Sequence, residues 1–314
     1  MSTLFTIAIP AYKRKFLKEA IDSCLSQTYN NWELVIVDDA SPEDLNSIIC
    51  QYDDPRIKSY RNEKNIGAAD VVDNWNICLS YAKGDYIICM GDDDRLRPNC
   101  LEEYRKLIDK YPNVNVLHAL TEIIDENSEF VRYQYSRPEW ESVYELIYNR
   151  WQYRFDQFIG DFCFKISALR NNGGFYKLPL AWGSDDLSAY IAAKPFGIAN
   201  TQVPGFQYRK NSINISSVGS IELKVKAIYK EKEWYISFFR TVPSRLIDVR
   251  LRNPLLWSLD KYIYWKIEIL LSEDIKSSVF SGLSNLINLY INHLISFRSL
   301  YRTIGRSIID LFRK

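Results

Sequence analysis

Gly84-Asp85-Tyr86-Ile87-Ile88-Cys89-Met90-Gly91-Asp92-Asp93-Asp94 is the stretch on which the fold turns. An apolar run that opens on glycine and closes on carboxylates reads as a buried strand delivering charge to its own carboxyl end. Three consecutive carboxylates repel one another unless something positive joins them. A hard divalent cation with oxygen ligands, shared with phosphates, relieves that repulsion. The other reading is a solvated loop in which Asp94 caps the helix that Pro98 opens.

The same pattern repeats on either side. Leu4–Ile9 reads as a strand ending at Pro10, and Glu33–Val37 as one closed by Asp38-Asp39-Ala40-Ser41-Pro42. Arg56–Tyr60 and Asn113–Leu117 complete a set of five, of which Asp85–Met90 is the fourth. Helical spacing lies between them: Phe16, Ala20, Ile21, Cys24 and Leu25, then Ala68, Val71, Val72, Trp75, Leu79 and Ala82, then a segment after Pro98. Alternation of this kind predicts an α/β fold with a mostly parallel sheet covered on both faces. Ligands of such sheets bind beyond the carboxyl ends of the strands, where Asp38-Asp39 and Asp92–Asp94 both fall. Asp38-Asp39 suits a nucleobase or ribose by acceptor chemistry, and suits a turn equally well.

Past Tyr135 the pattern loosens. Trp140–Trp151, Lys165–Asn171 and Ser184–Ala193 carry helical spacing, and from about residue 220 the chain is helical, with Pro243 and Pro254 as turn signals. The expected division is an α/β domain over 1–219, its two halves at 1–117 and 118–219, followed by a helical region at 220–314.

Composition narrows the function. The 314 residues carry a formal charge of +1 and are 47% hydrophobic, enough for a full core and no basis for a nucleic-acid partner. The six cysteines form no CxxC pair and read as reduced thiols of a cytoplasmic protein. No signal peptide and no membrane-spanning run is read. GxGxxG and GxxxxGK[ST] are both absent, so dinucleotide and P-loop phosphate cradles are excluded. His118 and His293 lack partners at metal spacing and read as structural.

Ile7-Ala8-Ile9-Pro10-Ala11-Tyr12, Ser26-Gln27-Thr28-Tyr29 and Glu33–Ser41 open a series of short motifs. Asn65-Ile66-Gly67, Asn74-Trp75-Asn76, Gly84–Ile87 with the acidic run, Gly173-Gly174-Phe175, Ser184-Asp185-Asp186 and Tyr208-Arg209 continue it in order. Over residues 4–216 this order resembles the family 2 glycosyltransferases of the GT-A fold, the type that builds bacterial polysaccharides and glycoconjugates. The resemblance implies a hexosyl- or N-acetylhexosaminyl-transferase with a GT-A-like, Rossmann-like sheet. It implies a UDP-sugar donor, a glycan or lipid-linked acceptor, Mn²⁺ or Mg²⁺, and inversion at the anomeric carbon. Pro10, Ala11, Tyr12, Asp39, Asn65 and Arg209 would line the nucleotide-sugar. Asp92 would reach the ribose or diphosphate and adjoin the metal, and Asp93 would be its main ligand. Asp186, or Asp185, would be the base that takes the acceptor proton. Helix-dipole pairing at a helix start is the alternative reading of those two.

Three positions depart from the family pattern. Gly91 stands where the first acid of the motif is usual, Trp75 where arginine is frequent, and Asn211 where histidine is frequent. Arg209 and Lys210 are the cations expected to offset the lost histidine. Trp182, beside the proposed base, is placed either against a sugar ring or in the core, and acceptor choice is expected in the loops of 139–164. A sugar-phosphate nucleotidyltransferase and an inactive binding scaffold of the same fold are the rival functions.

In the tail, Leu283, Leu286, Ile287, Leu289, Tyr290, Leu294, Ile295, Phe297, Leu300, Tyr301, Ile304, Ile308, Ile309, Leu311 and Phe312 interleave with Arg298, Arg302, Arg306, Arg313 and Lys314 against Asp310 alone. Such a basic amphipathic region predicts either packing on the rest of the chain or a second copy, or peripheral contact with the inner face of the plasma membrane.

Overall fold

A computed structural model describes residues 2–152, 156–211 and 219–312, with backbone alone for 308–312. The tail residues Ile308, Ile309, Asp310, Leu311, Phe312, Arg313 and Lys314 therefore have side chains outside the described residues. The chain forms two compact units, one of Met1–Lys177 with Ser184–Asn214 and one of Leu178–Gly183 with Ile215–Lys314.

The first unit is built on β1 (Phe5–Ala11), β2 (Trp32–Asp38), β3 (Ile57–Arg61), β4 (Tyr86–Cys89), β5 (Arg95–Leu96), β6 (Val116–Ile124), β7 (Phe130–Tyr133), β8 (Trp140–Glu141), β9 (Phe162–Lys165) and β10 (Ile198–Arg209). Strand order is β3-β2-β1-β4-β9-β6-β10-β5, with β7 on β6 and β8 on β10. The first four strands of that order are parallel, as is β6 with β10, whereas β9 runs antiparallel to both β4 and β6. Side chains of β1, β2 and β4 are almost all buried, as expected of central strands covered on both faces. Edge strand β3 carries exposed Lys58, Ser59 and Arg61, which protect it from pairing with another chain.

Helices α1 (Leu17–Leu25), α2 (Asn46–Ile49), α3 (Val71–Tyr81), α4 (Cys100–Lys110), α5 (Val143–Trp151), α6 (Ile166–Asn171) and α7 (Ser184–Ala193) belong to this unit. Helix α1 buries Leu17, Ala20, Ile21 and Cys24 in the core that includes Ile7, Ile9, Leu34 and Ile36. Tightness of packing explains Gly84 and Gly174. A Cβ on Gly84 would stand 2.7 Å from the carbonyl oxygen of Leu4. Gly174 has φ +96° and lies where a Cβ would come 2.3 Å from Asn76 Oδ1, the atom that accepts from the Phe175 amide at 2.8 Å.

Two expectations change. Pro10 does not end β1, because the strand continues to Ala11 in register with Asp38. The Ala8 carbonyl accepts from the Met90 amide, so even-numbered residues of β1 face β4, which has ended at Cys89 where Pro10 would have needed to donate. Trp140–Glu141 is strand and not helix; α5 begins only after Ser142, whose hydroxyl accepts from the Glu145 amide while the Glu145 carboxylate returns to the Ser142 amide.

The second unit holds α8 (Ile221–Arg240), α9 (Leu246–Ser277), α10 (Val279–Ile291) and α11 (Phe297–Phe312). Helix α9 packs against each of the other three. Pro243 falls in the α8–α9 link, but Pro254 lies inside α9 and does not stop it. The bond lost at its missing N–H is outweighed by the buried row Leu255, Leu259, Tyr262, Ile263, Ile267, Leu270 and Leu271. The segment Leu178–Gly183 joins this unit: the Lys224 ammonium lies 4.8 Å from the Trp182 ring, and a Cβ on Gly219 would come 2.9 Å from Leu180 Cδ1.

Candidate active site

The carboxyl ends of β1, β2 and β4 bring Ala11–Tyr12, Asp38–Asp39 and Gly91–Asp94 to one edge of the sheet. The three acids after β4 have separate fates. Asp92 is buried, and its Oδ2 accepts from the amides of Tyr12 (2.7 Å) and Lys13 (2.6 Å), clasping the end of β1. Burial, then the charge of Asp93, pushes its pKa up to about 6. Asp94 is also buried and accepts from the Arg209 amide at 2.9 Å. It caps no helix; the N-cap of α4 is Asn99. Burial raises its pKa well above the usual carboxylate range.

Asp93 is the acid left facing outward. Its Oδ2 lies 2.8 Å from Asn211 Nδ2 and 4.0 Å from Lys13 Nζ. Gly91 now has a physical reason, since a Cβ there would stand 2.8 Å from Asp93 Oδ1 and 3.1 Å from Asp94 Oδ2. The space that a first acid would occupy is taken by the two carboxylates that follow.

At β2, Asp38 ties the loop together, accepting from the Ser41 amide at 2.8 Å and pairing with Arg61, while Ser41 Oγ donates to the Tyr12 carbonyl at 2.6 Å. Asp39 accepts from Asn62 Nδ2 (2.8 Å) and from the amides of Ile66 (3.0 Å) and Gly67 (3.3 Å), and Asn65 Nδ2 donates to its carbonyl at 2.9 Å. Asn62 also donates to Asn74 Oδ1 at 3.1 Å. The motifs Asn65-Ile66-Gly67 and Asn74-Trp75-Asn76 thus converge on Asp39. Tyr12 leaves 42% of its surface exposed beside them.

Arg209 does not present its guanidinium to a diphosphate. It is fully buried, with Nε on the Asp93 carbonyl (2.7 Å), Nη1 on Ser128 Oγ (2.7 Å), Nη2 on Glu19 (2.8 Å) and the Phe16 ring 4.0 Å away. Its fork is spent on holding the acidic loop from behind. Arg209→Ala is expected to cost about 3 kcal/mol of folding stability by stripping buried partners of their donor. Urea unfolding of the variant checks this; unchanged stability with weakened donor binding would restore the diphosphate role. Lys13, which sequence reading passed over, is the cation beside Asp93, and Lys210 is exposed.

Asp185 and Asp186 open α7. Asp186 is 2% exposed; its Oδ2 lies 3.3 Å from Arg150 Nε, and its Oδ1 has no hydrogen-bond partner among the described residues. Asp185 is less buried and accepts from the Asp186 amide at 2.9 Å. Burial, then the charge of Asp186, pushes Asp185 up to about 7. Arg150 had no signal in the sequence, because nothing links α5 to α7 before the chain is folded. Trp182 lies in the second unit under Lys224. His118 is 1% exposed with its pKa pushed down to about 4 by burial, so it is neutral and carries no chemistry.

The donor set bears on a metal. Among the described residues no three His, Cys, Asp or Glu side chains converge to form a cage. The least buried of the three carboxylates, Asp93, just beyond the carboxyl end of β4, fits the other mode, in which a hard cation is held by one or two protein oxygens and by the phosphates of its ligand.

A parallel sheet carrying acids at adjoining strand ends, extended by an antiparallel strand and a second parallel pair, is a GT-A-type fold. The chain belongs to glycosyl transferase family 2, whose family model matches residues 6–170. The Escherichia coli UDP-Glc:alpha-D-GlcNAc-diphosphoundecaprenol beta-1,3-glucosyltransferase WfgD is 35% identical over 126 residues, 40% of this chain and 48% of that protein. An uncharacterized glycosyltransferase of Rickettsia typhi is 33% identical over 129 residues, 40% of this chain and 39% of its own length. The chain thus aligns with less than half the length of these curated relatives. In fold, it matches S. aureus TarS 1-349 in complex with UDP-GlcNAc with a TM-score of 0.60 at 16% identity, over 98% of this chain and 91% of that one. The Pyrobaculum calidifontis mannosyltransferase PcManGT, in complex with GDP-Man and Mn²⁺, matches with a TM-score of 0.55 at 16% identity, over 99% and 88%. Family membership sets aside the nucleotidyltransferase reading.

Proposed function

We propose that this glycosyltransferase moves a sugar from a UDP-sugar to a hydroxyl of a glycan or lipid-linked acceptor, with inversion and with Mn²⁺ or Mg²⁺ at Asp93, in polysaccharide or glycoconjugate synthesis. The observation that carries the proposal is the sorting of the acidic run: Asp92 and Asp94 are spent on backbone amides, and Asp93 alone is turned outward between Lys13 and Asn211. Support for the donor class comes from the UDP-Glc of WfgD and the UDP-GlcNAc bound to TarS. WfgD also supports a lipid-linked acceptor, its own being a diphosphoundecaprenol. The six cysteines are free thiols, which accords with a cytoplasmic setting.

In this reading Pro10, Ala11 and Tyr12 flank the nucleotide, and Asp39 offers to the base its Oδ2, which among the described residues accepts only from the Gly67 amide at 3.3 Å. Asn65 and Asn62 hold Asp39 in place, and Lys13 lies toward the diphosphate. Asp92 shapes the crevice and adjoins the metal. A divalent cation on Asp93 supplies counter-charge to the departing nucleoside diphosphate. Asp186 is the base: Arg150 fixes Oδ2 and leaves Oδ1 to accept the acceptor's proton. The acceptor oxygen bonds the anomeric carbon as the carbon–oxygen bond to the diphosphate breaks on the opposite face, its electrons leaving with the diphosphate. Titration of UDP, GDP and their sugars with and without Mn²⁺ tests the donor assignment; tightening by Mn²⁺ is expected for UDP. GDP preference, or binding indifferent to metal, would overturn it.

A further inference from the structure

In the second unit, α11 is turned inside out. The face that it lays against α9 carries Ser299 (1% exposed), Thr303 (0%) and Ser307 (4%), a stripe of small hydroxyl residues at one-turn spacing. The Thr303 and Ser307 hydroxyls have no hydrogen-bond partner among the described residues. Phe297 (66%) and Tyr301 (73%) stand outside, on the face they share with Ile304. Burying hydroxyls while exposing aromatic rings is the reverse of what water rewards.

Helix α10 continues that outer surface. It holds no charged residue from Val279 to Ile291, and it exposes Phe280, Ile287 and Ile291 at spacings of seven and four that put them on one face. The two surfaces meet at Tyr290 and Phe297, whose rings lie 6.2 Å apart. Arg298, Arg302 and Arg306 form a row along one side of the α11 apolar face, and from residue 277 to 314 the sole carboxylate is Asp310. Arg302 also lies 3.6 Å from Glu268 of α9.

We infer that the outer face of α10 and α11 docks on an anionic lipid surface. The apolar stripe would enter the boundary between headgroups and acyl chains while the arginines reach the lipid phosphates from its flank. Charge selects this occupant over a second copy of the chain, since a self-complementary contact about a two-fold axis would set arginine rows together with no facing carboxylates. Contact lies along the surface, as no described helix is long and apolar enough to cross a membrane.

The test is sedimentation of the full chain with phosphatidylcholine vesicles and with phosphatidylcholine–phosphatidylglycerol vesicles, at low and high salt. Binding is expected to the anionic vesicles only, and to weaken with salt. Arg298→Gln should reduce it about fivefold, and Phe280→Asp with Ile291→Asp at least about tenfold, without change in melting temperature. Binding to neither vesicle, equal binding to both, or binding unmoved by all three changes would overturn the proposal. So would a dimer in sedimentation velocity that Phe280→Asp dissociates, because the face would then belong to a second copy.

Discussion

Asp93→Asn is expected to weaken Mn²⁺-dependent UDP binding by at least about a hundredfold, to the level measured without metal. The change is nearly isosteric, and the Asp93 carbonyl that holds Arg209 is untouched. Folding stability should therefore stay within about 0.5 kcal/mol of the parent. Isothermal titration with and without Mn²⁺ reads the first quantity and urea unfolding the second. If metal-dependent binding survived in Asp93→Asn and vanished in Asp92→Asn, the roles given to the two neighbours would be reversed.

Asp186→Asn should do the opposite. Donor affinity is expected to hold within about twofold while kcat falls by about 10² to 10⁴, the usual loss when a positioned base is removed. The pH profile discriminates further. Asp185, its pKa pushed up by burial and the charge of Asp186, holds a proton below about 7, so kcat/KM of the parent should change as pH crosses that value, and Asp185→Asn should abolish the change. A carboxyl whose pKa is raised above its usual value of 3.8 binds a proton in the folded chain that the unfolded chain has released. Stability contributed by that proton is present at low pH and is lost as pH rises from about 4 toward 7. Asp185→Asn should flatten this part of the stability profile. An Asp186→Asn enzyme of normal turnover would remove Asp186 from catalysis, and a parent whose kcat/KM is level from about pH 5 to 8 would remove any influence of Asp185 on the base.

The parallel half of the sheet was legible because both faces of its strands are largely apolar, which leaves runs such as Ile7–Ile9 and Leu34–Val37. Strand β10 was not, because Pro204 and Gly205 interrupt it; the register with β6 slips at that point and the strand continues. Strands β5 and β8 pair at two residues each and leave too short a period to read. In the site, position was legible and orientation was not. Three adjacent aspartates announce a charged strand end, but which of them faces outward depends on amides 79 to 115 residues away in sequence. The same limit concealed Arg150, Lys13 and the structural duty of Arg209, each of which depends on a partner that only folding supplies.

The short run Leu178–Gly183 bears on how such a chain can be cut and recombined. Its side chains are held with α8, yet the next residue begins the helix that carries Asp185 and Asp186. A truncation after residue 214 would deprive Leu180 of Gly219 and Trp182 of Lys224, just ahead of that helix. The two units therefore are not exchangeable modules. Transplanting the helical tail of a related protein onto this catalytic unit requires its matching six-residue insert as well, so their sequences are constrained to change together.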